Sequence, residues 1–144
     1  MEGIVFIGLQ ASGKSTFYKE KFFDKYLRIS MDMLNTRNKE RQILDKCLEL
    51  QQRVVIDNTN PTRIERAVYI EKFRMRKYNV IGYYFQSEVE ECLIRNAQRT
   101  GKKRIPDTGI FATAKKMELP TLEEGFAKLY RVRSANRQFV IENW

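Results

Sequence analysis

Gly8 and Gly13 flank four residues, and Lys14 and Ser15 follow the second glycine directly. The string Gly8-Leu9-Gln10-Ala11-Ser12-Gly13-Lys14-Ser15 satisfies G-x-x-x-x-G-K-[ST]. Its glycines let the backbone curl until successive N–H groups converge on phosphate oxygens. In that arrangement Lys14 reaches the β- and γ-phosphates and Ser15 offers its hydroxyl to Mg2+. Gln10, Ala11, Ser12 and Thr16 complete the expected contacts to a nucleoside triphosphate. The competing reading is a glycine turn whose lysine and serine only cap a helix. The buried-strand pattern before the string and the helical pattern after it favour the phosphate loop.

Such a loop does not say what receives the phosphoryl group, so other polar residues must. Asp32 falls just after a second strand-like segment, at the sheet edge where the loop also lies. A carboxylate there can take the proton of an attacking hydroxyl, although it could equally cap the helix that follows. Asp57 closes a third apolar run. It is placed to hold Mg2+ through water or to orient a basic side chain on the acceptor side, with a plain Asx turn into Asn58-Thr59 as the alternative. Arg95 and Arg99, four apart on one expected helix, would close two guanidinium groups over a triphosphate, with Arg99 joining Lys14 and Asp32 as catalytic candidates. The alternative is a solvated pair between Glu91 and Arg95.

The 144 residues suit one domain, 1–144, with a lid at approximately 95–117; 42% are hydrophobic and 31% charged, a balance that can bury a core. The net charge of +9 points to an anionic partner, and +7 of it falls between Arg95 and Arg137. No histidine occurs, which excludes histidine-based triads and histidine zinc sites. Cys47 and Cys92 read as reduced, half-buried thiols on helices. With no basic leader before an apolar run and no 18-residue apolar stretch, a cytoplasmic protein without a membrane partner is expected.

These residues need a scaffold, and the hydrophobic pattern supplies one. Ile4 to Ile7, Tyr26 to Ser30, Arg53 to Asp57 and Asn79 to Phe85 read as strands. Helices are expected at Lys14 to Phe23, about Met33 to Gln52, and from an Asn60 cap with Pro61 to about Lys77, where Ile64, Val68 and Phe73 face inward. A capping box at Ser87 to Glu90 opens a helix carrying Cys92, Leu93, Arg95 and Arg99 to Gly101. A basic loop, Gly101 to Arg104, precedes a helix from Pro106 to Met117. Phe126 to Val132 and Gln138 to Ile141 form a closing hairpin. The alternation implies an α/β protein of three layers with a central, mostly parallel sheet, a P-loop NTPase or kinase fold with a helical lid and a C-terminal β-hairpin.

The strings GLQASGKST, ISMD, VVIDNTNPTR, RNAQR and LPTLEEGF, in this order, resemble the P-loop kinase domain of the polynucleotide 5′-hydroxyl kinases. Stand-alone bacterial relatives of this kind, AAA-like ATP-binding proteins, are similar over nearly the whole chain. The resemblance implies ATP, or another NTP, with Mg2+ as donor, and transfer of the γ-phosphoryl to a nucleic-acid 5′-hydroxyl. It implies phosphate and metal roles for Lys14 and Ser15, a general base at Asp32, lid arginines at Arg95 and Arg99, and support from Asp57. One departure stands out: where the family often has an arginine three residues after the catalytic aspartate, this chain has Asn35, and Arg37 is the candidate to bind the acceptor in its place. Two other functions compete. One is a kinase of a small hydroxyl compound or modified base; the other is an ATP-switched binding module in which Asp32 is only a cap. Asn58, not a glutamate, follows Asp57, which favours transfer over water activation.

Overall fold

Ile4, Val5, Phe6 and Ile7 present no polar face to water. The computed structural model of residues 1–144 buries them in β1 (Glu2–Gly8), inside a six-stranded sheet. The other strands are β2 (Leu27–Ile29), β3 (Val54–Ile56), β4 (Asn79–Phe85), β5 (Lys128–Ala135) and β6 (Gln138–Asn143), in the order β2-β3-β1-β4-β5-β6. Neighbours run parallel except β5 and β6, the antiparallel hairpin expected from the sequence. Six helices complete the chain: α1 (Lys14–Lys21), α2 (Met31–Leu34), α3 (Arg37–Glu49), α4 (Arg63–Met75), α5 (Val89–Ala97) and α6 (Asp107–Lys116).

The pleat sends alternate residues of β1 to opposite layers. Val5 and Ile7 meet Leu44 of α3 and Tyr69, Ile70 and Phe73 of α4. Ile4 and Phe6 meet Phe17 and Tyr18 of α1, where rings pack edge to face, Phe17 against Phe85 at 5.2 Å between centroids. Truncating Phe17 to alanine would remove a fully buried ring, a loss of about 3–5 kcal/mol. A third cluster, Leu9, Ala11, Cys92 and Ile110, fastens the phosphate loop to α5 and α6. Cys47 and Cys92 are free thiols, and both are buried, where half-buried thiols were expected. No helix is long and apolar enough to cross a membrane.

Several local expectations are corrected. The helix expected from Met33 to Gln52 is two helices, because Asn35 takes a left-handed backbone, φ 67°, and Thr36 caps α3 by accepting from the Lys39 amide. Thr62, not Asn60, caps α4; Asn60 turns inward to donate to the Phe6 carbonyl at 2.7 Å. Ile64 and Val68 are exposed, 82% and 52%, because the inward stripe of α4 is Arg66, Tyr69, Ile70 and Phe73. The capping box expected at Ser87 to Glu90 makes no side-chain cap bond; one forms instead between Thr121 and Glu124. Finally, α5 ends at Ala97, so Arg99 lies beyond it.

Arg66 is wholly buried yet charged, and Glu124 answers it with two bonds of 2.8 and 3.1 Å while the Asn60 carbonyl accepts a third. Removing one partner of such a pair costs about 3–5 kcal/mol because the other charge is left buried. The pair ties the turn after β3 to the segment before β5, and Gly8 N–H completes the tie by donating to the Thr59 carbonyl.

Candidate active site

The turn after β1 reaches its shape through Ala11 at φ 61° and Gly13 at φ 99°, left-handed conformations that aim backbone amides into one concavity. Gly8 is required for a different reason: a Cβ there would fall 2.9 Å from Phe85 Cβ. The amides of Gln10, Ala11 and Gly13 have no backbone acceptor, and α1 starts at Lys14 with its first-turn amides open. Ser12 Oγ is buried without a hydrogen-bond partner. Such a set of unmet donors fits an anion.

Lys14 folds back to donate to the carbonyls of Leu9 at 2.7 Å and Gly8 at 3.1 Å. Burial pushes its ammonium down from an ordinary 10.5 to about 8, against the pull of Asp57 and Asp32 and with the push of Arg99. Those three groups come from the turn after β3, from α2 and from the segment after α5.

Ser15 donates to Asp57 Oδ2 at 3.1 Å, and the same oxygen accepts from Arg28 Nε at 2.7 Å. Arg28 Nη2 also donates to Ser15 Oγ at 3.0 Å. Asp57 is therefore turned onto the phosphate loop through Ser15. A hydroxyl beside a carboxylate is a hard-oxygen pair that suits Mg2+, which takes few protein ligands and completes its shell with phosphates and water.

Asp32 is exposed, in the first turn of α2, and its carboxylate enters no hydrogen bond or ion pair. It does not cap that helix: Ser30 does, accepting from the Asp32 amide at 3.2 Å. Asn58 Oδ1 accepts from the Met31 amide at 2.9 Å and its Nδ2 donates to buried Glu40 at 2.8 Å. Glu40 also accepts from Tyr69 at 2.8 Å and from Arg37 at 3.0 Å. The result holds the backbone immediately before Asp32, at the Met31 amide. Arg37, the acceptor candidate, is engaged in this network with its side chain still 66% exposed.

Arg95 reaches back to donate to the Ala11 carbonyl at 3.0 Å and lies 3.6 Å from Glu91, so it is a neighbour of the loop and a surface ion pair together. Gln10 donates to Thr113 of α6 at 2.9 Å. Thr16 is exposed on α1. Within the expected lid segment, 95–117, the contacts differ along the chain. Cluster and hydrogen bonds fix α6 to the phosphate loop, whereas Asn96, fully buried, clasps both backbone groups of Ile105 at 2.7 and 3.1 Å and pinches off residues 97–104. That loop carries Arg99, Lys102, Lys103 and Arg104, none of them in an ion pair.

The sequence reading missed Arg28, Glu40, Tyr69 and Asn96. A lone arginine inside the strand-like Tyr26 to Ser30 was the available signal for Arg28. The others depend on residues brought together from distant elements, and no spacing announces them.

No protein-family profile matches the chain. It is 30% identical over 135 residues to a bifunctional polynucleotide phosphatase/kinase of Schizosaccharomyces pombe, a match that covers 91% of this chain and 33% of that protein. It is 30% identical over 138 residues to a protein given that name provisionally in Acanthamoeba polyphaga mimivirus, with the same coverages. The chain thus spans about a third of the length of these curated relatives. Among solved structures, a gluconokinase from Sinorhizobium meliloti superposes with a TM-score of 0.63 at 19% identity, over 94% of this chain and 83% of that one. The fold is that of the P-loop kinases.

Proposed function

We propose that this chain moves the γ-phosphoryl group of ATP to the 5′-hydroxyl at the end of a nucleic acid. The observation that carries the reading is the unpaired Asp32 carboxylate, which follows β2 at the same end of the parallel sheet as the phosphate loop that follows β1. The similarity over 91% of the chain to polynucleotide phosphatase/kinases supports this acceptor class.

The open amides of the loop, Ser12 and Lys14 bind the β- and γ-phosphates, with Arg95 and Arg99 closing over them. Gln10, Ala11 and Gly13 belong to the same turn, and Thr16 follows in the first turn of α1. Ser15 and Asp57 would hold Mg2+, which when bound neutralises charge on the phosphates. Asp32 accepts the proton of the attacking hydroxyl as its oxygen bonds to the γ-phosphorus and the bond to the β-phosphate oxygen breaks. Arg37, with Lys102, Lys103 and Arg104 in support, holds acceptor phosphates.

A kinase of a small hydroxyl compound has one observation in its favour. Arg37 is bonded to Glu40 and Tyr69, and position 35, the usual place of the acceptor arginine, is Asn35. The test supplies γ-labelled ATP with 5′-hydroxyl oligonucleotides, nucleosides, sugars or water alone. Label in oligonucleotides at the highest kcat/KM is expected; label confined to small compounds would transfer the reading to the second function, and label released to water alone would remove both.

A further inference from the structure

Arg28 is the one charged residue of β2, an edge strand whose other two positions are Leu27 and Ile29. It lies opposite Val55 in the register, and Val55 belongs to the layer packed by α1, so Arg28 also faces α1 and Ser15. Ile29 goes to the opposite layer.

Its contacts are not those of a simple ion pair. A guanidinium neutralising a carboxylate commonly uses two parallel bonds to the two oxygens. Here Nε bonds Asp57 Oδ2 while Nη2 bonds the Ser15 hydroxyl, and Ser15 donates to that same Oδ2. The three groups close a ring of hydrogen bonds, and two of the three are the oxygen donors suited to a divalent ion. Arg28 is 22% exposed, so water lies on one side of it; Asp57, at 2%, has no such outlet.

A guanidinium has only donors, so each contact occupies a lone pair that a metal would use. Two cations drawing on one hydroxyl and one carboxylate oxygen also repel each other strongly in a half-buried setting. We propose that Arg28 competes with Mg2+ for Ser15 and Asp57, so that the metal is taken up with ATP, whose phosphates supply further ligands, and poorly without it. Arg28 is then a positioning residue that makes metal loading depend on nucleotide. The inference rests on the Mg2+–ATP part of the proposed function and is independent of the acceptor.

The experiment measures by calorimetry the affinity for ATP in saturating Mg2+ and in chelator, and takes the ratio, for wild type, Arg28→Gln and Arg28→Lys. The ratio isolates the metal from any uniform effect of removing a positive charge. It should rise roughly tenfold in Arg28→Gln, as one like-charge repulsion is lost, and by less in Arg28→Lys, whose ammonium cannot bridge both partners. An unchanged or smaller ratio would mean that Arg28 only props Asp57, and would overturn the proposal. Should thermal melting show Arg28→Gln unfolded, Arg28→Lys decides: a ratio above wild type supports competition and one at or below it overturns it. Failure of wild type to bind ATP overturns the nucleotide reading and this inference together. Tight Mg2+–ATP binding with no labelled oligonucleotide would count against the acceptor alone.

Discussion

Lys14 and Asp32 are opposite cases of a charged side chain at one site. Lys14 is buried, with carbonyls as its only partners, and its ammonium falls to about 8. A triphosphate brought against it favours the charged form, so binding should draw a proton from solution above pH ~8, and affinity should weaken as pH rises through that value. Calorimetry in buffers of different ionisation enthalpy checks this; no proton uptake and a flat affinity would contradict it. The stability sign follows from the same shift: with the native value below the unfolded 10.5, the unfolded chain binds more protons between the two. Stability from this group therefore rises with pH across that window, and its cost is fully present below about 8. Asp32 is exposed and unpaired, the state a general base needs. Asp32→Asn should leave ATP affinity nearly unchanged and reduce transfer by roughly 10²-fold or more. Loss of ATP affinity in a folded variant would instead give Asp32 a role in holding nucleotide or metal.

At the scale of elements, the site depends on which segments are fixed and which are free. Cluster contacts hold α6 against the phosphate loop, and Asn96 clasps Ile105 at the neck of the 97–104 loop. ATP should therefore protect the bonds after Arg99, Lys102, Lys103 and Arg104 from trypsin, while α6 resists with or without it. Asn96→Ala should open the neck, speed cleavage and weaken the protection; equal cleavage in both proteins would leave Asn96 without that role. This division was not legible beforehand, because a helix pattern running to Gly101 hid the end of α5 at Ala97. What was legible was local: the phosphate loop, the buried strands and the closing hairpin each carry their pattern in consecutive residues. The strings NTNPTR and LPTLEEGF also serve the scaffold. Arg66, just beyond the first, pairs with Glu124 of the second. Asn35, where the resembled family often has an arginine, takes a left-handed backbone that ends α2 before Thr36 starts α3.

Over the whole molecule, positive charge is unevenly neutralised. The excess counted between Arg95 and Arg137 is partly answered by Glu142, just outside that span, which accepts from Arg131 at 3.0 Å and Arg133 at 2.9 Å and has its carboxyl held low by both. Of the cations of that span outside any ion pair, Lys102, Lys103 and Arg104 lie together with Arg99 in the 97–104 loop. If they and Arg37 hold an acceptor strand, log affinity for the oligonucleotide should fall with log salt by about 0.7 per phosphate contact, and Arg37→Ala should lower that slope by about one contact. A slope near zero, or one untouched by Arg37→Ala, would favour the small-molecule acceptor. The most direct measurement of the central claim compares two oligonucleotides of one sequence, one ending in a 5′-hydroxyl and one already carrying a 5′-phosphate, each incubated with γ-labelled ATP, Mg2+ and the protein. Label is expected on the terminal 5′ oxygen of the first, none on the second, and none on either with Lys14→Ala. Equal labelling of the two, or label appearing only as free phosphate, would contradict it.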